Sequence, residues 1–557
     1  MLVKSERQKS VTYGMVKEHD ITKDEISFTE KNAKNKYGQY FTPNIVAEFM
    51  IDLANITLTS KILEPSCGEG IFLDILQNRG YSHMSAYEID EELGKEFDCI
   101  QYESFVSAKI SEKFDLIIGN PPYIQWKNLE PELKEELATN KLWSKYFNSL
   151  CDYLYIFILK SIELLKENGQ LIFICPEYWM NTTHSISLRN YMVEHGYFER
   201  IYHFNETPIF NNATISVVIF KYVKSKNKNS TIDVVKYYKN RALSNELLSQ
   251  IKDEDSVNPD IKKFSVPQFQ KNKRWLLSDL NEIEKIEKLE ESCSTKIEVK
   301  QDLFSKNISS SYPTIGDICD IGNGMVSGLD KAFQLNEQKL NNKEKAKTIK
   351  VIKAKHLKPF LYSDITKYIF ANDVELESKF EKDYPNFHQK LIGQRGKLEK
   401  RYQYNKKIHY WQWVFLRNFN LFNKNCPRIF IPCKERISNK DYFRFAYVPS
   451  GIFPTQDVTA IFPKTETKEN IHYILAFLNN HRVFTWLKNK GIVKGNIVEF
   501  SEKPISSIPF RKIDWSNEND VLLHNQISDY TKQYVDQRED LILEKINNLM
   551  DKLLNYK

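Results

Sequence analysis

Over its first 225 positions this chain alternates two hydrophobic rhythms, short unbroken apolar runs and longer stretches with a helical period. Ile45, Val46, Phe49, Met50 and Leu53 make one helical stripe behind Pro43, a residue suited to a helix start. Ile62 and Leu63 end a strand, Gly68 and Gly70 form a turn, and Ile71, Phe72, Ile75 and Leu76 begin a second helix. Met84 to Asp90 reads as a strand ending in acids. Asp115 to Ile118 lacks polar alternation, as in a buried parallel strand, and Gly119 marks its exit. A helix with Leu154, Phe157, Ile158, Ile162 and Leu165 comes next, followed by a strand at Leu171 to Pro176 and a helix around Ser187 to Glu194. Segments near Ile201 to Phe204 and Ile215 to Tyr222 pair as a closing hairpin. This order predicts an α/β fold, a mostly parallel sheet with its ligand contacts at the strands' carboxyl ends.

The pattern divides the chain into five parts. Residues 1–35 are a polar arm, 36–225 hold the α/β domain, and 226–300, with a lysine-rich break and a charged helix, read as a connector. A second, mixed α/β domain spans 301–510, and 511–557 is an amphipathic helical tail.

Composition adds exclusions. No apolar run approaches the roughly 18 residues of a membrane span, and the start of the chain has no signal-peptide core; a cytoplasmic protein with no membrane contact is expected. The eight cysteines form no CxxC pair and no His cluster stands at zinc-ligand spacing, so free thiols and no metal are expected. The net charge of +6 is unevenly placed: residues 301–510 carry 34 Lys and Arg against 20 Asp and Glu, a balance of +14 that leaves −8 for the remainder. A basic second domain suits a polyanionic partner.

The candidate chemistry centres on Asn120, Pro121, Pro122 and Tyr123 at the end of the Asp115 strand. Two prolines fix the backbone and remove two donors, leaving the Asn120 side chain and nearby carbonyls as acceptors beside an aromatic ring. Such acceptors suit an exocyclic amino group or an amide, whose delocalised lone pair is freed when its N–H bonds are held. Taken alone, the four residues are equally a tight strand-to-loop turn around a buried Asn. The Glu64, Pro65, Ser66, Cys67, Gly68, Glu69, Gly70 turn lets backbone approach a ligand, and Glu88, about twenty residues on, can accept hydrogen bonds from a ribose diol.

In this order, Thr42-Pro43, the Glu64 to Gly70 turn, the acidic strand end and Asn120 to Tyr123, the chain resembles the S-adenosylmethionine-dependent DNA adenine N6-methyltransferases of the gamma arrangement, the type II, Eco57I-like modification methylases. About 50 residues separate Gly70 from Asn120, too few for an intervening recognition domain. The resemblance implies a Rossmann-like S-adenosylmethionine methyltransferase sheet followed by a C-terminal target recognition domain. It also implies that S-adenosyl-L-methionine is the cofactor and duplex DNA the partner; a monomer is expected, and because the arm at 1–35 is too short for a nuclease and no PD…ExK site stands elsewhere, any cognate restriction endonuclease is expected to be a separate chain. Tyr40, Phe41, Thr42 and Glu64 to Gly70 would surround the methionine end of the cofactor. Glu88 with Ile89 would hold the ribose and Phe105 would stack on the adenine. Ser104 stands where the family carries an acid for that adenine. Asn120 to Tyr123 would act on a target adenine turned out of the duplex, with Phe210 packing on its second face; a loop Phe covering the core is the plain alternative.

In the second domain, Ile321 to Leu335 is similar to the opening of the family's recognition domains. The candidate DNA contacts are Arg395, Lys397, Lys400, Arg401, Lys406, Lys407, Trp411, Arg428 and Arg436, interleaved with Tyr402, Tyr404, Tyr410 and Trp413. Other expectations stay open: N4 methylation of cytosine, methylation of a protein glutamine or RNA, and a non-catalytic DNA-binding subunit.

Overall fold

The structure is a computed structural model that describes residues 40–555, apart from 94–96, 206, 211–215, 228, 240, 274, 295–311, 336–338, 405–406, 438–439 and 495. The expected arm at 1–35 and Lys406 therefore lie outside the described residues. The chain divides into two compact units at the Asp279–Leu280 bond.

The first unit is built on a nine-stranded sheet: β1 (Ile62–Glu64), β2 (Met84–Glu88), β3 (Ile100–Tyr102), β4 (Phe114–Gly119), β5 (Leu165–Pro176), β6 (Gly196–His203), β7 (Val217–Lys224), β8 (Thr231–Tyr237) and β9 (Ile261–Pro267). Their order is β3-β2-β1-β4-β5-β7-β6-β8-β9. The strands from β3 to β5 in that order are parallel, and β7 enters antiparallel between β5 and β6. The expected α/β fold and the closing hairpin are present. Because β1 pairs with β2 on one side and β4 on the other, the chain leaves β1 and β4 in opposite directions, which opens a crevice at their carboxyl ends.

The helix Asn44–Asp52 follows Pro43 and buries Val46, Ala47, Phe49, Met50 and Ile51 against the sheet. On the same core lie Ile62, Leu116, Ile118, Ile172 and Ile174, from strands apolar on both faces.

The described residues of the expected connector at 226–300 belong to the two units on either side. β8 joins β6 in parallel and β9 joins β8 antiparallel, so the sheet continues past the expected boundary. The charged helix Leu280–Cys293 belongs to the second unit, burying Ile286, Leu289 and Cys293. Its Glu290 accepts hydrogen bonds from the Trp486 indole (2.8 Å) and Lys490 (2.6 Å).

The second unit is mixed α/β. Two four-stranded sheets, one containing Cys319–Asn323 and the other Thr348–Ile352, share a core with Trp411 and Trp413. Helices Glu518–Gln537 and Asp540–Asn555 bury Leu523, Ile527, Ile546 and Met550, so the expected tail is part of this unit.

Candidate active site

A cavity of about 1010 Å³, open mouth included, lies at the carboxyl ends of β1, β2 and β4. Tyr40, Phe41, Thr42, Glu64, Pro65, Ser66, Cys67, Gly68, Glu88, Ile89, Ser104, Phe105 and Asn120 all line it. Gly70 does not. It starts the helix Ile71–Asn78 at φ 77°, and a Cβ there would meet the Phe97 ring at 2.9 Å, so this glycine serves the turn.

Two buried carboxylates face the cavity with different surroundings. Glu88 is held by three backbone N–H groups: Gly68 donates to Oε2 (2.8 Å), Ile89 and Asp90 to Oε1 (3.0 Å each). Burial raises its pKa, and those bonds offset part of the rise. Glu64 ends β1 almost fully buried, and its Oε2 has no hydrogen-bond partner. Burial, then the Glu88 charge, holds its pKa well above the usual range. An unpaired buried acid lining a cavity suits a cationic ligand group.

At the end of β4 the Asn120 amide is fixed from both sides. Its Nδ2 donates to the Tyr40 carbonyl at 2.6 Å, and its Oδ1 accepts from the Tyr123 hydroxyl at 3.0 Å. Ser66 Oγ donates to the Asn120 carbonyl at 3.3 Å, tying this loop to the glycine turn. Burial, with Cys175 and Tyr40 adding to it, keeps the Tyr123 phenol well above its usual range and hence protonated. Pro122 also lines the cavity, while Pro121 is buried behind it. Phe210 is buried in the first unit's core and touches Tyr40, ring centroids 5.6 Å apart, so it covers the core and meets the site together.

The cavity also holds residues the sequence did not single out as site residues, Leu133, Tyr153 and Phe157, with Ile71 and Phe72 beside the expected Glu69 of the turn. Phe157 packs tilted on Phe105 (centroids 5.2 Å) and edge-on against Tyr153 (5.3 Å), an aromatic wall to the cavity that Ser104 also lines. The Tyr153 hydroxyl donates to Glu136 at 3.3 Å, which brings an acid near the place where Ser104 supplies none. The Ser104–Ala108 loop is held from beneath by Lys160, whose Nζ donates to the carbonyls of Phe105, Val106 (3.2 Å) and Ala108 (2.6 Å). Burial pushes this ammonium down to about 8, with Glu136 and Glu103 opposing.

The candidate DNA contacts in the second unit separate into two groups. Arg401 donates to the carbonyls of Leu398 (2.6 Å), Ser327 (2.5 Å) and Tyr410 (3.1 Å) and lies over the Phe333 ring. Arg428, 0% exposed, donates to the carbonyls of Phe422, Lys424, Cys426 and Ile452. Trp411, also 0% exposed, donates to the Val374 carbonyl and stacks on Phe380. Arg428 and Trp411 are buried away from solvent, which corrects the expectation for them, while Arg401 is half-buried with each guanidinium nitrogen donating to a carbonyl. Trp413, 1% exposed, is core as well. Lys397, Lys400, Lys407 and Arg436 are exposed, and Arg395 is paired with Glu377 and Glu399. Tyr402, 70% exposed, meets the Tyr404 ring at 4.8 Å near those lysines in sequence. Among the described residues no group of acids, His and Cys is arranged to hold a metal ion, and no helix is long and apolar enough to cross a membrane.

Residues 47–210 match the family model of the Eco57I restriction-modification methylases. The chain is 44% identical over 524 residues to the type II methyltransferase M.HindII of Haemophilus influenzae, covering 94% of this chain and 99% of that protein. It is 41% identical over 524 residues to the type II methyltransferase M.HincII of Haemophilus influenzae, with the same coverage. Among solved structures, the type IIL restriction-modification enzyme MmeI in complex with DNA is similar with a TM-score of 0.56 at 12% identity, over 94% of this chain and 72% of that one, a likeness of fold.

Proposed function

Since this chain belongs to the type II methyltransferases of restriction-modification systems, we propose that it transfers a methyl group from S-adenosyl-L-methionine to the N6 amino group of an adenine turned out of duplex DNA. The observation that carries this reading is the doubly anchored Asn120 amide at the mouth of a cavity that also holds an unpaired buried Glu64.

The cavity's residues fit the cofactor. The Glu64 carboxylate would take the α-ammonium, Glu88 has lone pairs left for ribose hydroxyls, and the wall of Phe105, Leu133, Tyr153 and Phe157 suits a flat base. When bound, that group supplies an electrophilic methyl on a positively charged sulfur. Asn120 Oδ1 and the Pro121 carbonyl would accept the two N–H bonds of the target amine, draw its nitrogen toward tetrahedral geometry and free its lone pair. The amine nitrogen would gain a bond to the methyl carbon as that carbon's bond to sulfur breaks, leaving a neutral thioether, and would then give up one proton to solvent. Neither a metal nor a strong base on the chain is needed, because holding the amine in line supplies most of the effect.

The exposed lysines of the second unit, Lys397, Lys400 and Lys407, would neutralise phosphates of the duplex, and that unit would serve as the target recognition domain. Flipping costs a few kcal/mol, which aromatic contacts at Tyr123 and Phe210 offset. A type II partner nuclease would be a separate chain, and the protein would act as a monomer. Transfer of label to unmethylated duplex DNA, followed by identification of the methylated nucleoside, tests the reading; N4-methylcytosine is the rival product.

A further inference from the structure

The Tyr40 side chain has a place that the proposed reaction leaves unexplained. Its ring stacks on Tyr123, centroids 5.1 Å apart and planes 15° from parallel, and its other aromatic contact is Phe210 at 5.6 Å and 45°. These are the two rings between which the target base would lie. We propose that Tyr40 is a placeholder for that base: without DNA its ring fills the space between Tyr123 and Phe210, and the flipped base takes that space by displacing it. The proposal rests on the reading of this site as one that accepts a flipped base.

Three features separate Tyr40 from an ordinary core residue. Phe210 is buried among the first unit's core residues, whereas Tyr40 is only half-buried and sits at the edge of that core. Its neighbour Phe41 is 50% exposed, so the segment lies at the surface and the ring can swing out without opening the core. Most tellingly, the main chain and side chain of Tyr40 do different things. The carbonyl anchors Asn120 Nδ2, while the ring only stacks. Rotation about the Cα–Cβ bond would remove the ring and leave the carbonyl in place, so the Asn120 amide keeps its orientation while base replaces ring.

An empty slot between two aromatic faces would otherwise expose both to water or collapse. Filling it from the chain's own edge keeps it open, and each base that enters must replace contacts the protein already makes. The ring thus sets a threshold for entry: a base that stacks weakly gains less than it displaces.

The experiment compares wild type, Tyr40→Phe and Tyr40→Ala. Sites methylated by the wild-type protein are mapped first. Equilibrium affinity is then measured for a duplex with adenine at the mapped position and for the same duplex with an abasic residue there. An abasic duplex brings no ring and does not require Tyr40 to move. Losing two ring contacts is expected to tighten binding of the adenine duplex by roughly three- to thirtyfold in Tyr40→Ala, with the abasic duplex unchanged. Tyr40→Phe, which keeps the ring, is expected to follow wild type. Equal changes for both duplexes, or weaker binding of the adenine duplex in Tyr40→Ala, overturn the proposal. Should Tyr40→Ala not fold, Tyr40→Leu, apolar but without a flat face, gives the same ratio. If the wild-type protein methylates no DNA at all, the reading of the site fails, and the proposal with it.

Discussion

The Tyr123 hydroxyl donates to Asn120 Oδ1 at 3.0 Å while Asn120 Nδ2 donates to the Tyr40 carbonyl at 2.6 Å, so the amide can present its oxygen in one direction only. An acceptor held this way costs no reorganisation when an amine arrives. Asn120→Ala is expected to lower the transfer rate by at least about 10² to 10³ while DNA and cofactor binding stay near wild type. Tyr123→Phe keeps the ring and loses the clamp, and should cost about tenfold or less. Single-turnover kinetics beside equilibrium binding separate these effects; loss of binding together with rate in Asn120→Ala would argue against a catalytic amide.

Glu64 pairs function with a cost in stability. Its carboxyl is held well above the usual range by burial, then by the Glu88 charge. Such a group contributes stability below its unfolded pKa and loses it as pH rises through the folded value. At neutral pH, Glu64→Gln should therefore raise the thermal midpoint of the cofactor-free protein, an advantage that shrinks as pH falls toward the ordinary carboxylate range. The same variant should bind S-adenosylmethionine roughly ten- to a hundredfold more weakly. Calorimetry and titration of one preparation check both; a variant both less stable and unimpaired in binding contradicts the assignment.

Lys160 has the opposite sign. Burial lowers its pKa from 10.5 to about 8, so between those values the unfolded chain binds more protons and stability gains with rising pH. Lys160→Met cannot titrate, so the wild type's stability relative to the variant should grow across that window. With the carbonyls of Phe105 and Ala108 losing the Lys160 donor, and Val106 keeping only the Asn140 amide, the variant's KM for cofactor should rise while kcat changes little. Thermal midpoints at several pH values and steady-state kinetics measure this.

The two kinds of basic residue in the second unit should behave differently. Replacing Lys397, Lys400 and Lys407 by Ala should weaken DNA binding and lower the salt dependence by up to about 0.9 per lysine removed, with no change in thermal midpoint. Arg401→Ala and Arg428→Ala should instead lower the midpoint, because three or more buried carbonyls each lose a donor. Salt-dependent binding isotherms and melting curves distinguish them.

What could be read from the sequence follows from how locally each feature is encoded. The strand, Gly119 and Asn120 to Tyr123 are contiguous, and Glu64 to Gly68 is another contiguous turn, so their meeting needed only the strand order of an α/β sheet. Leu133, Tyr153 and Phe157 escaped notice because apolar residues in helices or at their ends read as core, and their facing the cavity depends on packing. Arg401 and Arg428 look like phosphate ligands in a basic run; the carbonyls they satisfy lie up to 74 residues away. β8 and β9 were hidden by the lysine-rich turn ahead of them, although Ile232, Val234 and Val235 pack inward once the strands pair.

The most direct test of the central claim is to incubate the purified chain with labelled S-adenosylmethionine and unmethylated duplex DNA, digest to nucleosides and identify the labelled one by mass. N6-methyladenine at discrete sites is the expected product, with the label lost in Asn120→Ala. Label in N4-methylcytosine, or no label with DNA binding intact, would contradict it.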